Sequence, residues 1–169
     1  MGTLAIKDLG PCQVLWNSID LGPTHGGVIF KEEQHHVDIH EDGHGDSPVD
    51  AITTGKIVTV EATLTRLTLT QLELVIESST KSATNLKVKN SVGNDMFGDS
   101  KALVLKPLVD NVPSVTNTEW LHVHRTYPLA NAEFSFDNSG QRVLKVLFKC
   151  FPDDLSTQVG EIWRIGPAS

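Results

Sequence analysis

Residues 55–64 read GKIVTVEATL, and apolar and polar side chains alternate along most of this stretch. Successive side chains of a β-strand point to opposite faces, so the alternation sorts them into two sets. The apolar set is Val58, Val60, Ala62 and Leu64. The opposite set is Ile57, Thr59, Glu61, Thr63 and Thr65. This pattern predicts an antiparallel strand with one buried face and one face in water.

Strand patterns continue on both sides of this stretch. Runs of β-branched, aromatic and alternating residues, bounded by turn residues, predict further strands. They lie at 12–16, 28–40, 86–89, 102–105, 120–127, 133–136, 142–151 and 161–165. The turn sequence at 137–140, DNSG, joins two of these runs as a hairpin.

One helix is expected in this mainly β chain. Thr70 and Glu73 have the spacing of a capping box, and an apolar stripe at helical spacing overlaps them. The members of the stripe are Leu69, Leu72, Val75 and Ile76. We therefore predict a single domain over 1–169, a β-sandwich or partial barrel with one flanking α-helix. Within it, 1–10 form an N-terminal arm and 81–100 a long loop.

Composition limits the function classes. The net charge of −7 argues against tight binding of nucleic acid, because such binding depends largely on contacts of lysine and arginine with phosphates. No apolar run approaches the length that spans a bilayer, and the first ten residues lack the pattern of a secretory signal. Cys12 and Cys150 lie in strand-like runs and are expected to be reduced core thiols.

Histidines raise the alternative of a metal-dependent β-sandwich enzyme. On a strand, His36, Asp38 and His40 would share one face, and such sets can hold zinc or iron. The spacing specifies no further ligand. His122 and His124 form a second pair, better explained as two side chains on the same exposed or interface face of a strand.

Sequence motifs of catalysis are missing. The chain contains no nucleophile elbow, no phosphate-binding P-loop and no dinucleotide fingerprint. We therefore expect a protein that is not an enzyme and that uses no cofactor and no metal.

An ordered series of short motifs carries a family resemblance. Residues 20–28, DLGPTHGGV, resemble the N-terminal signature of bacteriophage tail tube proteins (major tail proteins). The residues of this signature turn are Leu21, Gly22, Thr24, Gly26 and Gly27. The family order continues with Val37-Asp38, Gly45, Pro48-Val49-Asp50 and Ile52, then a strand opened by Gly55, and closes with GEIW at 160–163. The loop around 40–44 departs from the pattern because it is longer and more acidic.

The resemblance implies a viral structural protein of the virion. Such subunits form homo-hexameric rings that stack into a hollow viral tail tube, the conduit for DNA ejection into the host. The implied partners are further phage tail proteins (tape measure, tail terminator, baseplate or tip) and transiting double-stranded DNA that is not specifically bound, with no membrane. Assembly would take place in the host cytoplasm. A tube subunit of a related injection or secretion device is the alternative.

The resemblance also suggests roles for charged residues. A loop at 41–53 would contact the adjacent ring, and acids in the lumen would repel phosphate so that DNA passes without sticking. The candidates for the lumen are Glu32, Glu33, Asp38 and Glu61. The candidates for ring stacking are Glu41, Asp42, His44, Asp46 and Asp50. A solvated acidic face is equally consistent with these acids.

Overall fold

The fold was analysed in a computed structural model that describes residues 11–65, 68–132, 143–154 and 159–167. The described part contains eleven strands and one α-helix. The early strands are β1 (Cys12–Trp16), β2 (Ile19–Asp20), β3 (Thr24–His40) and β4 (Pro48–Leu64). Helix α1 (Leu69–Val75) is followed by β5 (Ser79–Lys81), β6 (Leu86–Val88), β7 (Lys101–Val109) and β8 (Val112–Pro113). The last strands are β9 (Leu121–Asn131), β10 (Leu144–Phe151) and β11 (Trp163–Ile165).

Nine strands form one antiparallel sheet. Its order is β2-β1-β7-β9-β10-β4-β3, with β8 paired to β7 and β11 paired to β9. The sheet curls, because β1 and β3 lie near opposite ends of this order and still contact each other. The predicted mainly β class with one helix is confirmed. Of the two architectures expected, the single curled sheet corresponds to the partial barrel.

The core fills the concave side of this sheet. Pairing in register brings Val60 opposite Phe148 and Leu103 opposite Val123, and all four side chains are fully buried. The predicted alternation along β4 is confirmed, since its apolar set is buried and Glu61 is exposed. Thr65 departs from the prediction because it is buried: its N–H and its hydroxyl both donate to the Pro23 carbonyl oxygen.

The capping box of helix α1 lies two residues earlier in the chain than predicted. The N-cap is Thr68, whose hydroxyl accepts from the Gln71 N–H at 3.3 Å, while the Gln71 side chain accepts from the Thr68 N–H at 2.9 Å. The prediction of Thr70 and Glu73 was wrong because two overlapping segments have the capping spacing. The apolar stripe was placed correctly: Val75 is fully buried, and Leu72 and Ile76 pack against the core.

Most predicted strands are present with shifted ends. The long loop at 81–100 contains β6 and the end of β5, which pair as a small separate sheet. The predicted strand at 142–151 begins at Leu144, and that at 161–165 begins at Trp163. The predicted N-terminal arm at 1–10, the strand at 133–136 and the turn at 137–140 lie outside the described residues.

Candidate functional site: a projecting hairpin arm

Strands β3 and β4 form a hairpin much longer than the sheet that supports it. β10 pairs with β4 only from Thr59 to Leu64. Beyond that point, every residue from 31 to 57 is exposed. We call residues 31–57 the hairpin arm. At about 3.3 Å per residue, the ten residues 31–40 extend roughly 33 Å.

In the described part of the chain, backbone pairing groups of the hairpin arm stay open on both sides. β3 is the last strand in the sheet order, so its outer edge has no neighbour among the described residues. The first eleven residues of β4, from Pro48 to Val58, lie beyond its pairing with β10. A two-stranded ribbon is marginally stable by itself in water, and open edges invite pairing with another chain.

The two faces of the hairpin arm differ in character. Paired residues share a face, and β3 alternates without interruption from Val28 to Ile39. One face continues the core side and carries polar and charged groups, including Gln34, His36 and Lys56. The opposite face carries Lys31, Glu33, His35 and Asp50 together with a set of exposed apolar side chains. Its members are Val37, Ile39, Ile52 and Ile57, which are between 37% and 58% exposed.

The four acids predicted for a lumen do not share one face. Glu32 and Asp38 lie on the core-side face, because β3 alternates and the core residue Val58 is the partner of Glu32. Glu33 and Glu61 lie on the opposite face, paired with Ile57 and Ile29. A single flat surface therefore cannot contain all four carboxylates.

Glu32 connects the root of the hairpin arm to the end of the chain. Its carboxylate accepts from Lys56 Nζ at 2.6 Å and from Trp163 Nε1 at 2.5 Å. The Trp163 ring also meets the Phe30 ring edge-on, with centroids 5.1 Å apart. The hydrogen bond from Lys56 and then that from Trp163 lower the pKa of Glu32. These contacts orient the hairpin arm relative to β11. Sequence reasoning missed them because 131 positions separate Glu32 and Trp163, and no local pattern links them.

The predicted stacking loop is shorter than expected. The loop covers 41–47, and residues 48–53 belong to β4, where Ile52 pairs with Val37. The expectation of a loop over 41–53 was wrong because pairing with β3 extends β4 from Gly55 back to Pro48. A register shift in this pairing lies next to Gly55. The bound at residue 53 comes from the family resemblance.

The stacking candidates cluster around the tip of the hairpin arm. Asp42 and His44 form a 3₁₀ turn, and His44 Nδ1 lies 3.8 Å from the Glu41 carboxylate. Asp46 is exposed in the same loop. Asp50 lies on β4, and its carboxylate accepts from the Ala51 N–H. The tip is therefore a concentrated acidic surface.

The signature turn connects β2 to the root of the same hairpin. Leu21 is fully buried, and its N–H donates to the Val14 carbonyl. Gly22 has a φ of +87°, and a Cβ there would lie 2.7 Å from Gln71 Nε2, so a side chain would disturb the capping box. Thr24 starts β3, and Gly26 and Gly27 lie at a register shift before Val28.

Histidines do not assemble a metal site in the described part of the chain. His36, Asp38 and His40 share a face as predicted, and His36 Nε2 lies 3.6 Å from Asp38. Yet no three His, Cys, Asp or Glu side chains in the described ranges converge around a possible ion.

The second histidine pair is held in the body of the protein. His124 Nε2 lies 3.0 Å from Glu161, and Arg164 holds the same carboxylate through two N–H groups. Arg164 and then His124 lower the pKa of Glu161 to about 2. His122 Nε2 is buried with no hydrogen-bond partner in the described residues, and burial is the main reason that its pKa is lowered.

The two cysteines are half-buried, and neither forms a disulfide. Burial raises the pKa of Cys12 to about 11 and that of Cys150 to about 12. Both pack at the margin of the core, as expected for structural thiols.

Comparison with models of known protein families finds no match, and comparison with curated protein sequences also finds none. Among the described residues, no helix is long and apolar enough to cross a membrane. The candidate functional site is therefore the hairpin arm: an exposed β-ribbon whose edges have no strand partner in the described part of the chain, with four exposed apolar side chains on one face and an acidic tip.

Proposed function

We propose that this chain is a structural subunit of a bacteriophage tail tube, which assembles into hexameric rings that stack as a conduit for DNA ejection. The observation that carries the proposal is the hairpin arm. It exposes apolar side chains and two strand edges that no described residue pairs with, and a neighbouring subunit is the simplest way to cover them.

The curled sheet supports the same function. Strands paired between subunits would remove the open edge of β3, and repetition around a ring would close the sheet. The ordered motifs from Leu21 to Gly55, which resemble those of tail tube proteins, also support the proposal, because they span the two long strands of the hairpin. The subunit would be made in the host cytoplasm and would work in the virion, with other tail proteins at the ends of the tube.

Charge is compatible with a DNA conduit. The protein carries −7 overall, and the hairpin arm contains seven acids against two lysines. Such a surface repels phosphate, so DNA would slide past without being held. Glu33 and Glu61 lie on the convex side of the sheet at the root, whereas Glu32 is engaged by Lys56 and Trp163. We therefore propose Glu33 and Glu61 as the lumen acids to test first.

Electron microscopy tests the proposal directly. Concentrated wild-type protein should form six-fold rings or hollow tubes in negative stain. A matched variant replaces residues 35–55 by Asn-Gly, which joins the paired residues Gln34 and Lys56 by a two-residue hairpin turn. It should keep the fold and remain monomeric. Wild-type protein that stays monomeric at all concentrations, even with preformed tubes as seeds, would contradict the proposal.

A further inference from the structure

A second exposed hairpin differs from the arm in charge. Strands β5 and β6 form a two-stranded sheet, and residues 79–92, which we call the lysine hairpin, contain three lysines and no acid. Lys87 and Lys89 alternate with Val88, so they share the face that also carries Thr80, the partner of Lys87. Both lysines are exposed and have no ionic partner among the described residues.

The rest of the lysine hairpin is anchored to α1. The Ser79 hydroxyl donates to the Glu73 carbonyl, and the Lys81 N–H donates to the Glu73 carboxylate at 2.9 Å. Lys81 Nζ donates to the Thr70 hydroxyl. The nearby carboxylate of Glu77 accepts from Ser91 and Asn94. Lys87 and Lys89 are therefore the charges that this hairpin leaves for an external partner.

The two hairpins lie at opposite ends of the protein. β4 begins next to the tip of the hairpin arm and ends at Leu64, and α1 starts at Leu69, only a few residues later. The lysine hairpin packs on α1 and therefore sits near the far end of β4. The seventeen residues of β4 separate the two ends by roughly 55 Å at about 3.3 Å per residue.

The surfaces at the two ends are complementary. The hairpin arm has a net charge of −5 from its seven acids and two lysines, whereas the lysine hairpin contributes +3. Each is a two-stranded ribbon that exposes apolar surface: Val88 lies on the face opposite the two lysines, and Val92, at the end of the lysine hairpin, is 93% exposed. Opposite charge steers and orients an association whose affinity then comes from covered apolar surface.

We propose that the acidic tip of the hairpin arm docks on the lysine hairpin of a second copy of this chain. Because the two surfaces differ and lie at opposite ends, the contact is heterologous, and repetition produces a linear stack. This inference rests on the proposed tube function and adds the receiving surface for the arm, with Lys87 and Lys89 facing Asp42 and Asp46.

Charge reversal at each end tests the contact. Lys87→Glu with Lys89→Glu should raise the critical concentration for assembly about tenfold or more, since like charges would then face each other. Asp42→Lys with Asp46→Lys should do the same. The four changes combined in one chain should restore assembly to within about threefold of wild type, because the reversed pair is again complementary. The control, Lys101→Glu with Lys145→Glu, makes the same charge change on other exposed lysines and should assemble normally.

A mixing experiment tests whether the two surfaces meet each other. Below the raised critical concentration of either single-end variant, an equimolar mixture should assemble, because the intact arm of one variant meets the intact lysine hairpin of the other and the two reversed surfaces also complement each other. The measurement is analytical ultracentrifugation at low salt, with circular dichroism as the test of folding.

Several results would overturn the inference. If the Lys87/Lys89 variant forms normal tubes, the lysine hairpin is not the receiving surface, although the tube function would stand. If that variant assembles normally but no longer binds a double-stranded DNA oligonucleotide, the two lysines bind nucleic acid instead of a second copy of the chain. If the four-change chain does not recover, the two surfaces do not meet. Wild type that never assembles would overturn both proposals.

Discussion

The exposed apolar pair on the hairpin arm leads to a quantitative prediction. Val37 and Ile52 are paired across β3 and β4, and they are 57% and 58% exposed. Changing both to serine removes apolar surface that the isolated subunit already leaves in water. We therefore expect the double variant to assemble poorly while its monomer keeps the stability of the wild type.

The expected loss follows from the area still to be buried. Full burial of a valine or isoleucine side chain contributes about 1.5–3 kcal/mol. Since slightly more than half of each residue remains exposed, covering the pair in an assembly contributes roughly 2–3 kcal/mol. A tenfold change corresponds to about 1.4 kcal/mol, so the critical concentration should rise about 30- to 150-fold.

Sedimentation of assemblies over a concentration series measures this change. Thermal unfolding of the monomer should shift by no more than about 2 °C, because exposed substitutions usually cost less than about 0.5 kcal/mol. Val115→Ser is the matched control, as Val115 is 91% exposed and lies outside the hairpin arm. A normal critical concentration in the folded double variant would refute the reasoning, since the apolar face would then stay in water within the tube. A large loss of thermal stability would also refute it.

Three further predictions concern the body of the protein. Thr126 is fully buried, accepts from Trp16 Nε1 and donates to the Lys101 carbonyl. Thr126→Val should therefore lower stability by about 2 kcal/mol, or about 4–8 °C in Tm, and Thr126→Ser should lose less in denaturant titrations. The pKa of Glu161 is lowered to about 2, so its contribution to stability is present above its usual pKa near 4.5 and is lost as pH falls towards 2. The Tm difference between wild type and Glu161→Gln should shrink over that window, and a constant difference would contradict the assignment. The pKa values of Cys12 and Cys150 are raised to about 11 and about 12, so few thiolates are present at pH 8 in the native protein. Native protein should therefore react with a thiol reagent at pH 8 at least about tenfold more slowly than urea-unfolded protein. Equal rates would show that these thiols are not protected.

Local patterns were enough for much of the fold. The alternation from Val58 to Leu64 predicted which side chains are buried, because strand geometry makes every second residue share a face. The helix stripe was also found, since its period is local. The capping box was predicted two residues too late, because the pairs Thr68-Gln71 and Thr70-Glu73 overlap and have the same spacing. Only the observed hydrogen bonds distinguish them.

The candidate site was predicted in composition but not in shape. The acids and histidines around the arm tip are visible in the sequence, and so are the two long strands. The extension of β4 back to Pro48 was missed, because a strand needs a partner and the partner of Ile52 is Val37 in another strand. Alternation along β3 already places the neighbours Glu32 and Glu33 on opposite faces, but only the pairing register decides which of them shares a face with Glu61.

A mainly β, acidic protein with one short helix could be predicted from the sequence, since these properties follow from composition and from periods of a few residues. Three features became visible only in the folded chain: the hairpin projects past its neighbour β10, Glu32 contacts Trp163 at the root of the hairpin, and a lysine hairpin lies at the other end. Each of these depends on contacts between residues far apart in the chain. Such contacts arise when the curled sheet buries its core, and no local pattern encodes them.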